Sequence, residues 1–474
     1  MLRFAKIIVF LLGIAGFSLA QGPVSVYGAL KACTIGGKGR ICGSGAYANT
    51  AVQLKGISLG WSNTGWESAA FFNANTVNAL VDGWKSEVIR VPIGYAENNG
   101  YKTDPSNLTR VKTAIAAALE KDVYVIIDWH SHDAHNELTP ATTFFEDMIQ
   151  TYGANNDRII YEIYNEPKSI QWATIKTYAD NIIGKIRAKG ANNLILVGTP
   201  EWSARPNQAD GSYLSDPNVA YVFHFYAAYH KMDGGGGMGN LTYSQGITKV
   251  LDAGKPIFAS EYGTVMNNGN GAHDPASTNA WYKFMDDNGI SSCAWQVSYK
   301  NETSALFATS FKDNLASRPL SDFTNRSNMK ESGQFIYDML ISNANSAPWR
   351  NPQPPPPPSS SSAAPSSSSI SSSSSSSSSS NNSSSSAENT PIITLSNAAF
   401  LNSAIASKNG ISLTVKNNAV VEVFGLKGNS VRKFSFANGD YSVSLSDLPK
   451  GLYIVKVSFG NEKRILKIPV NFGN

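Results

Sequence analysis

Two glutamates stand where apolar runs stop. Glu166 closes the run from Ile159 to Pro167 (IIYEIYNEP), and Glu261 closes the run from Pro256 to Tyr262 (PIFASEY). Branched and aromatic residues carry a strand across a core, and Pro167 ends the first one directly after its carboxyl. A carboxyl held at a strand end faces the mouth of an α/β barrel, where such folds keep their chemistry. Two carboxyls suit hydrolysis of a glycosidic bond: one protonates the leaving oxygen, and the other attacks or stabilises an oxocarbenium-like centre. Glu166 is expected to hold the proton, with Arg90 keeping its partner ionised. A retaining reaction requires roughly 5–5.5 Å between the two carboxyls.

The elements that must carry these groups alternate. Strand-like runs fall at Val52–Trp61, Val88–Gly94, Tyr124–His130, Ile159–Asn165, Leu194–Pro200, Tyr221–Tyr226, Pro256–Tyr262 and Ser291–Ser298. Amphipathic helical patterns lie between them, among them Leu108–Lys121, Ile170–Lys189, Gln245–Ala253 and Pro275–Asn288. Eight strands with intervening helices predict an α/β fold of the (β/α)8 barrel type rather than an open doubly wound sheet. No Gly-x-Gly-x-x-Gly follows the first strand, so a dinucleotide site has no support. Polar or aromatic residues end nearly every strand: Arg90, His130, Asn165, Glu166, His224, Tyr226, Glu261 and Trp295. A buried charge must be paired or used, so their convergence on one mouth predicts a site. Asp128 and Glu162 are expected to be partners of Arg90 or the histidines. The histidines of His130-Ser-His132-Asp-Ala-His135 are not expected to hold a metal, and no cofactor is called for.

Asn165-Glu166-Pro167, Ser260-Glu261-Tyr262-Gly263, Trp129-His130, His224-Phe-Tyr226 and Trp295 together resemble glycoside hydrolase family 5, especially its bacterial endoglucanases. The resemblance covers about residues 52 to 339 and implies a (β/α)8 barrel and a retaining β-1,4-glucanase. It implies Glu166 as general acid/base and Glu261 as nucleophile, with Arg90 and Tyr226 supporting Glu261. Asn165 would meet the sugar 2-hydroxyl, and His130 and His224 would line the cleft. Trp295 would form the floor under the sugar, and its bond to Gln296 is a candidate cis peptide. Where the family has serine after this tryptophan, the chain has Gln296. Trp202, Trp61, Trp66 and Tyr95 are candidates for stacking on sugar faces. Lys300 is a candidate hydrogen-bond donor to a substrate hydroxyl. β-Mannan, xyloglucan and mixed-linkage glucan are alternative substrates, and a non-catalytic glycan-binding barrel is the rival from another class.

Composition frames this barrel. Residues 1–20 read as a secretory signal, with Arg3 and Lys6 before an apolar stretch and Ser18-Leu19-Ala20 at the cleavage point. A catalytic domain is then expected over 21–350, and the protein is expected to be secreted and monomeric. Cys33 and Cys42 are expected to form a disulfide, leaving Cys293 as a buried thiol. Residues 351–390, a polyproline and polyserine tract, read as a disordered linker. Formal net charge is only +4, and the tail from Pro391 alone holds ten Lys or Arg against four Asp or Glu, so nucleic acid is not an expected partner. Residues 391–474 alternate as five short strands, Ser412–Val415, Val420–Phe424, Tyr441–Leu445, Leu452–Phe459 and Ile465–Val470, and predict a small β-sandwich. All nine tryptophans precede the spacer, which argues against sugar binding by the tail. The tail resembles bacterial C-terminal secretion-sorting domains, which implies contact with a secretion machinery or cell surface.

Overall fold

The computed structural model describes residues 22–234 and 237–346, and in the tail the strands between 401 and 470. The expected signal and linker lie outside the described residues. The chain divides into two compact units, Met1–Pro355 and Pro356–Asn474.

Among the described residues the first unit contains ten strands. They are β1 (Lys31–Ile35), β2 (Lys38–Cys42), β3 (Lys55–Leu59), β4 (Val88–Gly94), β5 (Tyr124–His130), β6 (Ile159–Glu162), β7 (Ile195–Val197), β8 (Val219–Tyr226), β9 (Ile257–Gly263) and β10 (Ser291–Val297). Strands β3 to β10 close into a parallel barrel in chain order, with β10 pairing β3. This is the (β/α)8 architecture. The strands are shorter than the apolar runs suggested in three places: β3, β6 and β7 stop where the backbone turns into the loops of the mouth. Helices Leu138–Tyr152 and Glu331–Ser346 complete the ring beyond those read from the sequence. Between β7 and β8 a 3-10 turn, Pro206–Ala209, replaces the usual helix.

Strand parity sorts the side chains. In β5, Val125, Ile127 and Trp129 pack outward against the helices, whereas Tyr124 and Ile126 fill the barrel interior with Val88, Ile160, Val222 and Phe258. Asp128 and His130 continue that inward face at the mouth. The same inward row runs from Val88 to Arg90, from Ile160 to Glu162 and from Val222 to His224. Apolar side chains close the N-terminal end of the barrel, and the next residue on each row is polar.

Val24, Tyr27 and Leu30 plug that closed end, and the β1–β2 hairpin beside them holds the expected Cys33–Cys42 disulfide. Cys293 is buried and unbonded. The bridge spans a sequence separation of nine, so loop closure predicts a loss of about 2–3 kcal/mol on Cys33→Ser/Cys42→Ser. Urea unfolding of the double variant measures it.

Among the described residues the second unit contains seven strands in two antiparallel sheets. Leu401–Ser407, Gly410–Val415 and Gly439–Val443 form one; Ser430–Phe436, Ala419–Gly425, Gly451–Phe459 and Glu462–Val470 form the other, in that order. Two strands, Leu401–Ser407 and Ser430–Phe436, escaped the sequence reading, the second because Arg432 and Lys433 interrupt its apolar character. Glu422 accepts from Lys456 at 2.8 Å across two neighbouring strands.

Candidate active site

Arg90 organises the mouth. Its guanidinium is fully buried and faces three carboxylates: Asp128 at 2.9 Å, Glu162 at 2.8 Å and Glu261 at 3.3 Å. Its Nη2 also donates to Asn165 Oδ1 at 2.6 Å. Burial opposes its charge, but the three carboxylates outweigh it and raise its pKa further. Asp128 and Glu162 are thus the supporting groups expected. Asp128 Oδ2 lies 2.6 Å from His130 Nδ1, and Ser260 Oγ donates to Glu162 Oε1 at 2.7 Å. Burial and the nearby Arg90 hold His130 well below the usual imidazole range, so it is neutral.

Glu261 reaches this cluster through a break in strand parity. Val222 pairs Phe258, but His224 pairs Glu261, so β9 carries one extra residue between them. This bulge turns Ser260 and Glu261 toward the interior together, where strict alternation would send one of them out. Tyr226 Oη donates to Glu261 Oε1 at 2.7 Å. Burial raises the Glu261 pKa first and the Glu166 charge adds to it, against His224, Arg90 and Tyr226.

Glu166 sits just beyond β6, its loop tied to the end of β5 by Asn165 N→Trp129 O and to the loop after β5 by Glu166 N→Ser131 O, both 3.3 Å. Its carboxyl lies between two imidazoles: His224 Nδ1 at 3.0 Å and His132 Nε2 at 3.2 Å. Burial pushes its pKa up, but hydrogen bonds from His132 and His224 win and hold it near about 2. Burial works against charge on both imidazoles; Glu261 then lifts His224 to about 9, and hydrogen bonds to Glu166 and Glu97 lift His132 to about 10. Glu166 was expected to hold the proton itself. Hydrogen bonds from His132 and His224 favour the charged form of its carboxyl, and His132 is a partner that the sequence reading left in a loop. Its spacing two residues after His130 was the available signal.

One oxygen each of Glu166 and Glu261 and a ring nitrogen of His224 lie within 4.8 Å of one another. That spacing could suit a cation, but both His224 nitrogens are committed, to Glu166 and to Ser260.

A first lobe of about 220 Å³ contains Glu166, Glu261, Trp295, Trp61, Trp66 and Lys300. Trp295 stacks on His130 with centroids 5.4 Å apart, and its peptide bond to Gln296 is cis. Gln296 Nε2 donates to Glu302 Oε1 at 2.7 Å, and Lys300 Nζ pairs with Glu302 Oε2 at 2.7 Å. Trp61 meets His130 edge-on at 4.1 Å. Trp202, 46% exposed, lines a second lobe. Tyr95 does neither: it packs on Trp129 at 4.7 Å and belongs to the outer core. His135 bonds Tyr164 at 2.8 Å, away from the carboxyls.

Residues 46–301, more than half of the chain, match the cellulase model of glycosyl hydrolase family 5. The chain belongs to glycosyl hydrolase family 5. It is 38% identical to endoglucanase Z of Dickeya dadantii over 294 residues, covering 62% of this chain and 66% of that protein. Cellulase CelDZ1 of a Thermoanaerobacterium species is 34% identical, with 62% and 76% covered. The solved catalytic domain of Thermobifida fusca endoglucanase Cel5A is 28% identical with a TM-score of 0.58, covering 68% of this chain and 99% of that one. The chain spans about two thirds of endoglucanase Z and 58% of endoglucanase A of Evansella cellulosilytica. Residues 407–471 match the secretion system C-terminal sorting domain, in line with the resemblance noted for the tail.

The histidine–carboxylate pairs give the family 5 barrel a defined pH response. Glu166, lowered from 4.5 to about 2, stabilises the fold fully above pH 4.5, and that contribution is lost as pH falls toward 2. His132 and His224, raised from 6.5, contribute fully below pH 6.5 and are lost as pH rises through about 9 to 10. The contribution of these three groups together should therefore be greatest between pH 4.5 and 6.5. Denaturant midpoints measured from pH 6 to 10 should fall less steeply in His132→Gln than in the wild type.

Proposed function

We propose that the protein is a secreted, retaining endo-β-1,4-glucanase that cuts internal bonds of cellulose or related β-glucans by double displacement. The observation that carries this reading is the opposed pair: Glu261 held by Arg90 and Tyr226, and Glu166 held by two imidazoles, with oxygens within 4.8 Å. So close a pair leaves no room for the intervening water that inversion needs and fits direct attack by one carboxylate.

In the first step Glu261 attacks the anomeric carbon and Glu166 delivers a proton to the leaving oxygen. Tyr226, whose pKa burial and Glu261 keep well above 10, stays a donor and orients the attacking carboxylate. Proton supply is coupled to that attack. The charge of Glu261 is the largest influence holding the proton on His224. As Glu261 becomes an ester its charge vanishes, so His224 gives up its Nδ1 proton more readily through Glu166. In the second step Glu166 takes a proton from water, which displaces the sugar from Glu261. Asn165, His130, Trp295, Trp61 and Lys300 would hold the sugars on the first side, and Trp202 would stack on the leaving side.

Export fits the signal-like start and the sorting-domain match at the other end, and the tail would contact the export machinery or the cell surface rather than substrate. The relatives named as endoglucanases support a β-glucan substrate. The test is a fall in viscosity of carboxymethylcellulose with wild type and not with Glu261→Gln. Inertness of both across a panel of β-glycans would favour the glycan-binding rival.

A further inference from the structure

Glu166 is gripped from two sides, and the two grips differ in kind. His224 belongs to β8 and is fixed from behind by Ser260 Oγ at 3.0 Å. His132 belongs to a loop, and a carboxylate stands behind it. Its Nε2 lies 3.2 Å from Glu166 Oε2, and its Nδ1 lies 3.3 Å from Glu97 Oε1. Glu97 follows β4, His132 follows β5 and Glu166 follows β6, so the three side chains join successive loops of the mouth. His132 and Glu166 line the first lobe, with Glu97 on the far nitrogen of the ring.

Both ends of this line are anchored. The Glu97 loop is clasped at its tip: Gly100 N donates to Glu97 O at 2.9 Å, Asn63 Nδ2 to Asn98 O at 3.0 Å and Asn107 Nδ2 to Asn99 O at 3.0 Å. On the other side, Tyr164 Oη donates to the His132 carbonyl at 3.0 Å, and Trp61 packs beside the imidazole with centroids 5.7 Å apart. Glu97 Oε2 is buried, and no donor among the described residues reaches it. A carboxylate that served only to tie a loop would keep both oxygens solvated, because an unmet one is costly. Here that cost is borne so that Oε1 can meet His132. Ionised carboxylates only accept, so both ring nitrogens must carry hydrogen for the two contacts to be bonds.

We propose that Glu97 is a positioning residue for glycosidic cleavage: through His132 it keeps an N–H on Glu166 Oε2, and so sets the alkaline limit of proton delivery to the leaving oxygen. The inference deepens the glucanase reading and rests on it. Burial opposes charge on His132, and hydrogen bonds to Glu166 and Glu97 outweigh it and lift the ring to about 10. Other charges near the ring are already matched. Asp133 pairs with Lys168 at 3.0 Å, Asp128 meets the neutral His130 at 2.6 Å, and Glu137 accepts from Trp129 Nε1 at 3.0 Å. Across Glu166 the remaining ionisable group is His224, 3.0 Å from Oε1. A neutral group at position 97 therefore removes one of the two supports of the charged ring. Nε2 then loses its hydrogen at lower pH, and Glu166 keeps its charge with no proton offered from the side of the first lobe.

The experiment follows the alkaline limb of kcat/KM for cellopentaose, whose leaving sugar needs a proton, and for 2,4-dinitrophenyl β-cellobioside, whose leaving phenolate does not. Glu97→Gln keeps the size of the side chain and an acceptor for Nδ1–H but removes the charge. It should move the cellopentaose limb down by about one pH unit, about a tenfold loss of activity on the alkaline side, the scale of one charge-assisted hydrogen bond. The aryl profile should stay in place. His132→Gln should separate the two substrates in the same way, and adding Glu97→Gln to it should shift nothing further, because Glu97 acts through that ring. Partial unfolding lowers both profiles at every pH and does not separate the substrates, so it cannot imitate this result. An unmoved cellopentaose limb in Glu97→Gln, a limb that moves equally with both substrates, or a further shift in the double variant would each overturn the role of Glu97 and leave the glucanase reading intact. A wild type inert on both substrates would overturn that reading and this inference with it.

Discussion

Glu261→Gln is expected to lower kcat on soluble cellulose derivatives about 10⁴-fold or more, because no other group near the anomeric carbon can form the ester. The fold should survive, since Arg90 keeps Asp128 and Glu162 as counter-charges and an amide still accepts from Tyr226. Glu166→Gln should cost less, about 10²–10⁴-fold, and the loss should shrink on aryl glycosides whose leaving groups need no proton. Azide separates the two roles. With Glu166→Ala it would replace water in the second step and give the β-glycosyl azide. With Glu261→Ala it would enter from the opposite face and give the α-anomer. Exchange of these products between the variants would reverse the two assignments. The His224 relay makes a further distinction, because Glu166→Gln leaves that imidazole charged but without a path to the leaving oxygen.

Arg90→Met is expected to destabilise the barrel by about 3–5 kcal/mol as well as stop turnover. The side chain is 0% exposed, and its removal leaves Asp128, Glu162 and Glu261 buried against one another with no cation among them. Arg90→Lys should recover only part of the loss. One ammonium cannot replace a fork that reaches Glu162 through Nε, Glu261 through Nη1 and Asn165 through Nη2. Equilibrium unfolding in urea measures both variants. A midpoint equal to wild type for Arg90→Met would mean that the three carboxyls take up protons at little cost. That outcome would also undo the case for Arg90 as the group that keeps Glu261 ionised.

Much of this site was legible in the chain because a strand shows its purpose at its end. A parallel strand is apolar on both faces, so Arg90, His130, His224 and Glu261 stood out as residues a bland core would not contain. The helices were less legible: Leu138–Tyr152 and Glu331–Ser346 went unread, since Thr, Asp and Ser blur their apolar stripes. Glu97 left no signal, because a loop residue follows no period. His132 was seen and set aside for the same reason.

By itself the sequence determined the barrel, the disulfide and the placing of Glu166, Glu261 and Trp295 at one barrel mouth, since each depends on residue type and on order along the chain. Tertiary structure alone decided which groups bear on the Glu166 carboxyl and how Glu261 comes to face the cleft. The first depends on His132 reaching Glu166 through one ring nitrogen while Glu97, from a different loop, meets the other. The second depends on one extra residue in β9 relative to β8. Neither has a period for a sequence to display, because a charge balance and a strand register are properties of neighbours that only folding brings together.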